Sequence, residues 1–162
     1  MTFAAQRPAG AKHEVYRELA LQARGLFEGE RDAIANAANL ASLLFYGLDD
    51  LNWAGFYFLK GDVLVLGPFQ GKPACVRIEM GKGVCGTAAA TRETLVVADV
   101  HEFPGHIACD VASNSEIVVP LIRDGRVIGV LDIDSPQRNR FDDEDRAGLE
   151  ALAALWLAAS AP

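Results

Sequence analysis

The sequence predicts an α+β domain built on one antiparallel sheet, and three observations carry that expectation. Apolar residues recur at three- and four-residue steps near both ends of the chain. The middle is made of short β-branched and aromatic runs. Tight turns, Gly61-Asp62 and Asp124-Gly125, join neighbouring runs, and strands linked by hairpins pair antiparallel. A chain of 162 residues is expected to form one domain. It would bury roughly 70% of its unfolded surface, enough for a core without disulfide or metal support.

The elements follow in order. His13 to Phe27 places Val15, Leu19, Ala23 and Leu26 on one helical stripe, and Gly29 interrupts it. Arg31 to Tyr46 repeats the pattern through Ile34, Ala37, Ala38, Ala41, Leu44 and Phe45, with Gly47 as a stop. Leu51 to Leu59 and Val63 to Leu66 then read as a hairpin around Gly61-Asp62. A third short strand is expected near Cys75 to Ile78. The segment EMGKGVCGTAAATRE starts a short alanine-rich helix, and Thr94 to Val100 is another strand. Residues 101 to 114 form the longest irregular stretch, and long loops in compact domains often carry function. Ser115 to Arg123 and Arg126 to Asp134 flank the Asp124-Gly125 turn as a second hairpin. Asp142 to Ser160 is the final helix, with Asp142, Asp143, Glu144 and Asp145 crowding a first turn whose dipole favours acids.

The formal net charge is −7, from 15 Lys and Arg against 22 Asp and Glu. That balance argues against nucleic acid or an anionic membrane surface as partner. The opening MTFAAQRPAG has no charged segment followed by an apolar core, so a cytoplasmic, reducing location is expected. There, a disulfide is more often transient and catalytic than structural.

Three cysteines, Cys75, Cys85 and Cys109, are spaced without the close Cys pair of a zinc site, so no metal is expected. A free cysteine often serves as a small buried hydrophobe, and Cys75, in or near a strand, fits that role best. Cys85 sits among glycines at a helix start, where a thiol pKa is lowered, and Cys109 lies in the long loop. Both settings suggest a thiol that can be reached. Asp132 and Asp134 interrupt an apolar strand at i, i+2, which puts both carboxylates on one face. Glu116 lies on the strand that pairs with theirs. A solvated sheet face is the plain explanation of such acids. Three carboxylates on one side of a hairpin would instead raise at least one pKa, supply a proton donor and attract a cationic group. Trp53 and Tyr57 share one strand face, Phe56 and Phe58 the other. The pair with polar atoms is the candidate pocket wall.

At these residues the sequence resembles a known family. GKGVCGTAA, FPGHIACDVASNSEIVVPL and GVLDIDSP, together with NWAGFY and FDDED, strongly resemble the free methionine-(R)-sulfoxide reductases, which are single GAF-type domains. The likeness is colinear over roughly residues 12 to 158 of the 1 to 162 domain. It implies a six-stranded antiparallel sheet with the N- and C-terminal helices on one face, often as a homodimer. It also implies reduction of free methionine sulfoxide without a cofactor and with thioredoxin as reductant. By position, Cys109 resembles the nucleophile, and Cys85 and Cys75 the resolving thiols, with no ranking between these two. Glu116, Asp132 and Asp134 match the acidic substrate pocket, and Trp53 and Tyr57 its aromatic wall.

The implied reaction is thiolate attack on the sulfoxide sulfur, with Asp134 or Glu116 protonating the oxygen. A sulfenic acid forms and condenses to a disulfide. Backbone N–H groups of residues 110 to 116 would hold the substrate carboxylate. An acidic pocket disfavours a thiolate, and His106, His101, Lys82 or the substrate ammonium could offset it. Two other classes compete: a GAF sensor that binds a small molecule without turnover, and a thiol redox sensor responding to peroxide.

Overall fold

A computed structural model of the chain describes residues 3–162. Its elements are α1 (Lys12–Phe27), α2 (Ala33–Gly47), β1 (Trp53–Lys60), β2 (Val63–Gly71), β3 (Arg77–Glu79), α3 (Gly83–Thr91), β4 (Leu95–Val97), a 3-10 turn (Val100–Glu102), β5 (Ser115–Arg123), β6 (Arg126–Ser135) and α4 (Asp143–Ala159). The strands form one six-stranded sheet in the order β3-β2-β1-β6-β5-β4. Every paired neighbour is antiparallel.

Three strands differ from their sequence expectation. β2 continues to Gly71, because a bulge between Gly55 and Tyr57 lets pairing with β1 resume on the far side of Gly67-Pro68. The third strand begins only at Arg77: the Val76 carbonyl still accepts from the Leu66 N–H, but the Cys75 carbonyl accepts from the Tyr57 hydroxyl instead of from β2. β4 stops at Val97, where Asp99 leaves the sheet and its side chain accepts from the His101 N–H at 3.0 Å to cap the 3-10 turn.

Strand alternation divides the interior into two clusters. Ala54, Phe56, Ile117, Val119, Leu121, Leu131 and Ile133 face α1, α2 and α4, and Phe56 meets the Trp156 ring at 5.3 Å. The other set, Trp53, Tyr57, Val118 and Val130, faces α3. The terminal helices therefore cover one side of the sheet and leave the other to α3 and the 103–113 loop.

The acidic start of α4 does more than complement a dipole. Asp142 caps the helix and forms a reciprocal box with Asp145. Asp145 is fully buried and accepts from the Tyr16 hydroxyl at 2.7 Å, from Lys12 at 2.6 Å and from Arg140 at 3.3 Å. One carboxylate thus ties α1 to α4. Asp145→Ala should cost about 3 kcal/mol, because it orphans a buried hydroxyl and leaves Arg140 without its carboxylate, while Lys12 keeps Asp142. Urea unfolding should show the loss as a lower midpoint at unchanged slope.

Candidate active site

The face away from the terminal helices holds a small cavity of about 40 Å³ between α3, β1, β6 and the 103–113 loop. Its floor is acidic because of strand register. Asp132 and Asp134 point to the same side of β6, and Glu116 of β5 stands directly opposite Asp134. Glu116 and Asp132 are only 6% and 5% exposed. The Cys85 sulfur, a Glu116 oxygen and an Asp132 oxygen lie within 4.8 Å of one another. Among the described residues, Asp132 Oδ1, Asp134 Oδ1 and Trp53 Nε1 are buried without a hydrogen-bond partner. The ion pairs formed among those residues lie elsewhere. Buried acids with no cation are costly, and their persistence marks a site made for a ligand.

Burial is the main cause that lifts all three carboxyls, as solvent no longer supports their charge. The charges of Asp132 and Asp134 push Glu116 well above the usual carboxylate range, and that of Asp132 does the same to Asp134. Asp132 is raised against the pull of Glu116 and Cys85, which bond its charged form. Carboxyls raised in this way hold their protons to higher pH than an exposed acid does.

These raised values fix the sign of a pH dependence. An acid whose pKa is higher in the folded state contributes its full stability below the ordinary carboxyl range. That contribution is lost as pH climbs to the raised value. Glu116→Gln has no such loss at this position. The variant should melt above the parent, and the gap should widen from about pH 4 upward, at about 2–4 °C for each kcal/mol regained. Thermal melts across a pH series test this.

The cysteines are arranged differently from their sequence expectation. Cys75 and Cys109 form a disulfide with Cα atoms 5.4 Å apart, and Cys85 is the free, buried thiol. The expectation that Cys75 best fits a buried structural role is thus reversed. Cys75 lies in the loop before β3, where it can reach the 103–113 loop. Cys85 does sit at the start of α3, yet its thiol pKa is raised, not lowered. Burial is the chief cause, followed by the charges of Asp132, Glu116 and Asp134. The helix dipole is outweighed by desolvation beside three acids.

Trp53 and Tyr57 stand together on the wall with ring centroids 5.8 Å apart. Tyr57 also has a role that its place on the strand face does not reveal: its hydroxyl donates to the Cys75 carbonyl at 2.9 Å and so holds the cysteine segment. Asn52, Asp110 and Ser113 were not marked by the sequence. The Asn52 amide donates to Asp110 at 3.0 Å and to Ser113 at 2.9 Å, which ties the Cys109 loop to the start of β1. The Ala112 N–H and this amide hold Asp110 below its ordinary pKa. The signal available in sequence was the run of short polar residues around Cys109, which favour such local bonds. His106 lines the cavity, but burial and then His101 lower its pKa, which weakens it as a counter-charge for a thiolate.

Comparison with known proteins places this geometry. The family model described as GAF domain matches residues 31–159. The free methionine-R-sulfoxide reductase of Escherichia coli (strain K12) is 56% identical over 143 residues, covering 88% of this chain and 87% of the relative. The chain belongs to the free methionine-R-sulfoxide reductase family. Another relative, the free methionine-R-sulfoxide reductase of Saccharomyces cerevisiae, is 48% identical, covering 89% of this chain and 84% of its own. The crystal structure of the Neisseria meningitidis free methionine-R-sulfoxide reductase with its substrate superposes at a TM-score of 0.92. It is 46% identical and covers 96% of this chain and 94% of its own. The GAF domain of a Coxiella burnetii phosphoenolpyruvate-protein phosphotransferase reaches a TM-score of 0.82 at 17% identity, a likeness of fold alone. Within the family's fold, the six-stranded sheet and the one-sided terminal helices are as the sequence led us to expect. Among the described residues no helix is long and apolar enough to cross a membrane.

Proposed function

We propose that the chain reduces free L-methionine (R)-sulfoxide to methionine, with Cys109 as the attacking thiol and Cys75 as the thiol that closes the disulfide. The carrying observation is the Cys75–Cys109 disulfide at a cavity whose floor carries Glu116, Asp132 and Asp134, none of them in an ion pair among the described residues. A disulfide there supplies two-electron chemistry, and the acids supply both a seat for an ammonium group and a proton. Family members with this substrate in their name support the reading.

The steps balance. The Cys109 thiolate attacks the sulfoxide sulfur, and one proton from Glu116 or Asp134 is taken up by the oxygen. The hydroxyl then passes from the methionine sulfur to Cys109 as the transient bond between the two sulfurs breaks, so methionine leaves and Cys109 carries the oxygen as sulfenic acid. The Cys75 thiol displaces that oxygen as water and closes the disulfide. A dithiol protein such as thioredoxin then reopens it by exchange, becoming the disulfide itself. Burial and the neighbouring acids keep Cys85 a thiol, which favours Cys75 as the partner.

Cys109 lines the cavity, and opening its disulfide with Cys75 frees the attacking sulfur at that wall. The N–H groups of Ala112, Ser113 and Asn114 already bond the Asp110 side chain, the Asp110 carbonyl and the Ser135 carbonyl. Capture of the substrate carboxylate then falls to the rest of the loop, or to the loop as rearranged after reduction. A blocked amine would meet the buried acids without pairing them, which accounts for preference for the free amino acid.

The test is NADPH oxidation coupled through thioredoxin reductase and thioredoxin, run on both epimers of free and N-acetylated methionine sulfoxide. Turnover on the free R epimer, with at least a hundredfold less on the others, is expected. Absence of turnover on every substrate would remove the proposal. Tight ligand binding that survives Cys109→Ser would favour a sensor instead.

A further inference from the structure

We infer that the floor of the cavity is also a binding site for a thiophilic divalent cation of the zinc class, which takes the seat of the substrate ammonium and blocks the reaction. The binding stands on geometry alone; the blocking rests on the reductase reading. The Cys85 sulfur, Glu116 and Asp132 converge from three separate elements, α3, β5 and β6, with their ligand atoms within 4.8 Å of one another. Tetrahedral zinc holds sulfur and oxygen ligands roughly 3.5 Å apart, so side-chain rotation closes the remaining gap. A second observation points to a ligand independently. Asp132, itself 5% exposed, holds its Oδ1 buried and unpartnered within the cluster.

The donor set selects the kind of ion. Thiolate with carboxylates suits zinc, cobalt or cadmium, whereas magnesium and calcium want six or more oxygens and several waters. The site is also held in place: a Cβ on Gly86 would lie 2.3 Å from the Glu79 carbonyl, so glycine there lets α3 press Cys85 down onto the sheet. Binding involves no redox step. The ion displaces the Cys85 thiol proton and the protons shared by the carboxyls, and these pass to solvent. A dication thereby neutralises charge that the isolated cluster can ionise only at high cost.

The disulfide form isolates the test, since the chain has three cysteines and two are then bonded, leaving Cys85 as its one thiol. Anaerobic titration of that form with Co²⁺ should develop a thiolate-to-cobalt charge-transfer absorbance at one ion per chain, removed by equimolar Zn²⁺. Cys85→Ala should abolish the band, and Asp132→Asn should weaken cobalt binding at least tenfold. No band in the parent protein would overturn the site, and so would a band that persists in Cys85→Ala. For the blocking, reduced and desalted protein is mixed once with free methionine (R)-sulfoxide with and without Zn²⁺. Zinc should slow methionine release at least tenfold, and excess substrate should restore it. Inhibition that excess substrate cannot relieve would overturn the shared seat. Failure to release methionine even without zinc would defeat the reductase reading and leave the cobalt result standing.

Discussion

Replacing Cys109 with serine should lower reductase turnover by roughly 10⁴-fold or more, the scale seen when a covalent nucleophile is removed. A hydroxyl is not ionised near neutral pH, attacks sulfur poorly, and cannot carry oxygen to a disulfide. The fold should survive, because Cys109 is only half-buried in a loop that Asn52 and Asp110 hold by other bonds. Cys75→Ser should behave differently. Chemistry at Cys109 remains possible, so each chain should release one methionine and then stop with the oxygen trapped as sulfenic acid. A burst of one equivalent in Cys75→Ser and none in Cys109→Ser separates attacker from resolver. Equal residual turnover in both would contradict the assignment.

Glu116→Gln should reduce kcat/KM roughly 10²–10⁴-fold, the range expected for loss of a positioned proton donor. The replacement keeps shape and removes an acid that either gives the oxygen its proton or, with Asp134 giving it, meets the ammonium as a carboxylate. Discrimination between free and N-acetylated substrate should shrink in the same variant, because the buried acids are what a blocked amine offends. The same change should raise thermal stability as pH rises, as argued above from the burial of this group. Loss of activity with gain of stability is the signature of a site whose acids are held against their own preference. A variant that lost both would mean that Glu116 is a structural residue.

Much of this was legible in the chain because it follows from short-range rules. The Asp124-Gly125 turn fixes which strands pair, and pairing at i, i+2 places Asp132 and Asp134 beside Glu116. Strand alternation likewise put Trp53 and Tyr57 on the cavity wall and Phe56 among the helices. What local pattern does not encode is burial across distant elements. Cys85 reads as an activated thiol from its helix position, and only the approach of α3 to β5 and β6 makes it a buried one. Cys75 reads as core because it opens a strand-like run with Val76 and Ile78, although its carbonyl is held by the Tyr57 hydroxyl and not by the sheet. The Asn52 bonds to Asp110 and Ser113 span about sixty residues of chain and have no local signature.

In the proposed reaction Cys109 and Cys75 together take the oxygen from free methionine sulfoxide. One measurement reaches it most directly. Fully reduced protein is mixed with one equivalent of free methionine (R)-sulfoxide, with no external reductant, and its thiols are alkylated at once. Peptide mass spectrometry should find one methionine released per chain, a Cys75–Cys109 disulfide and an alkylated Cys85. Release of methionine with Cys109 still alkylated, or with Cys85 in the disulfide, would contradict the account.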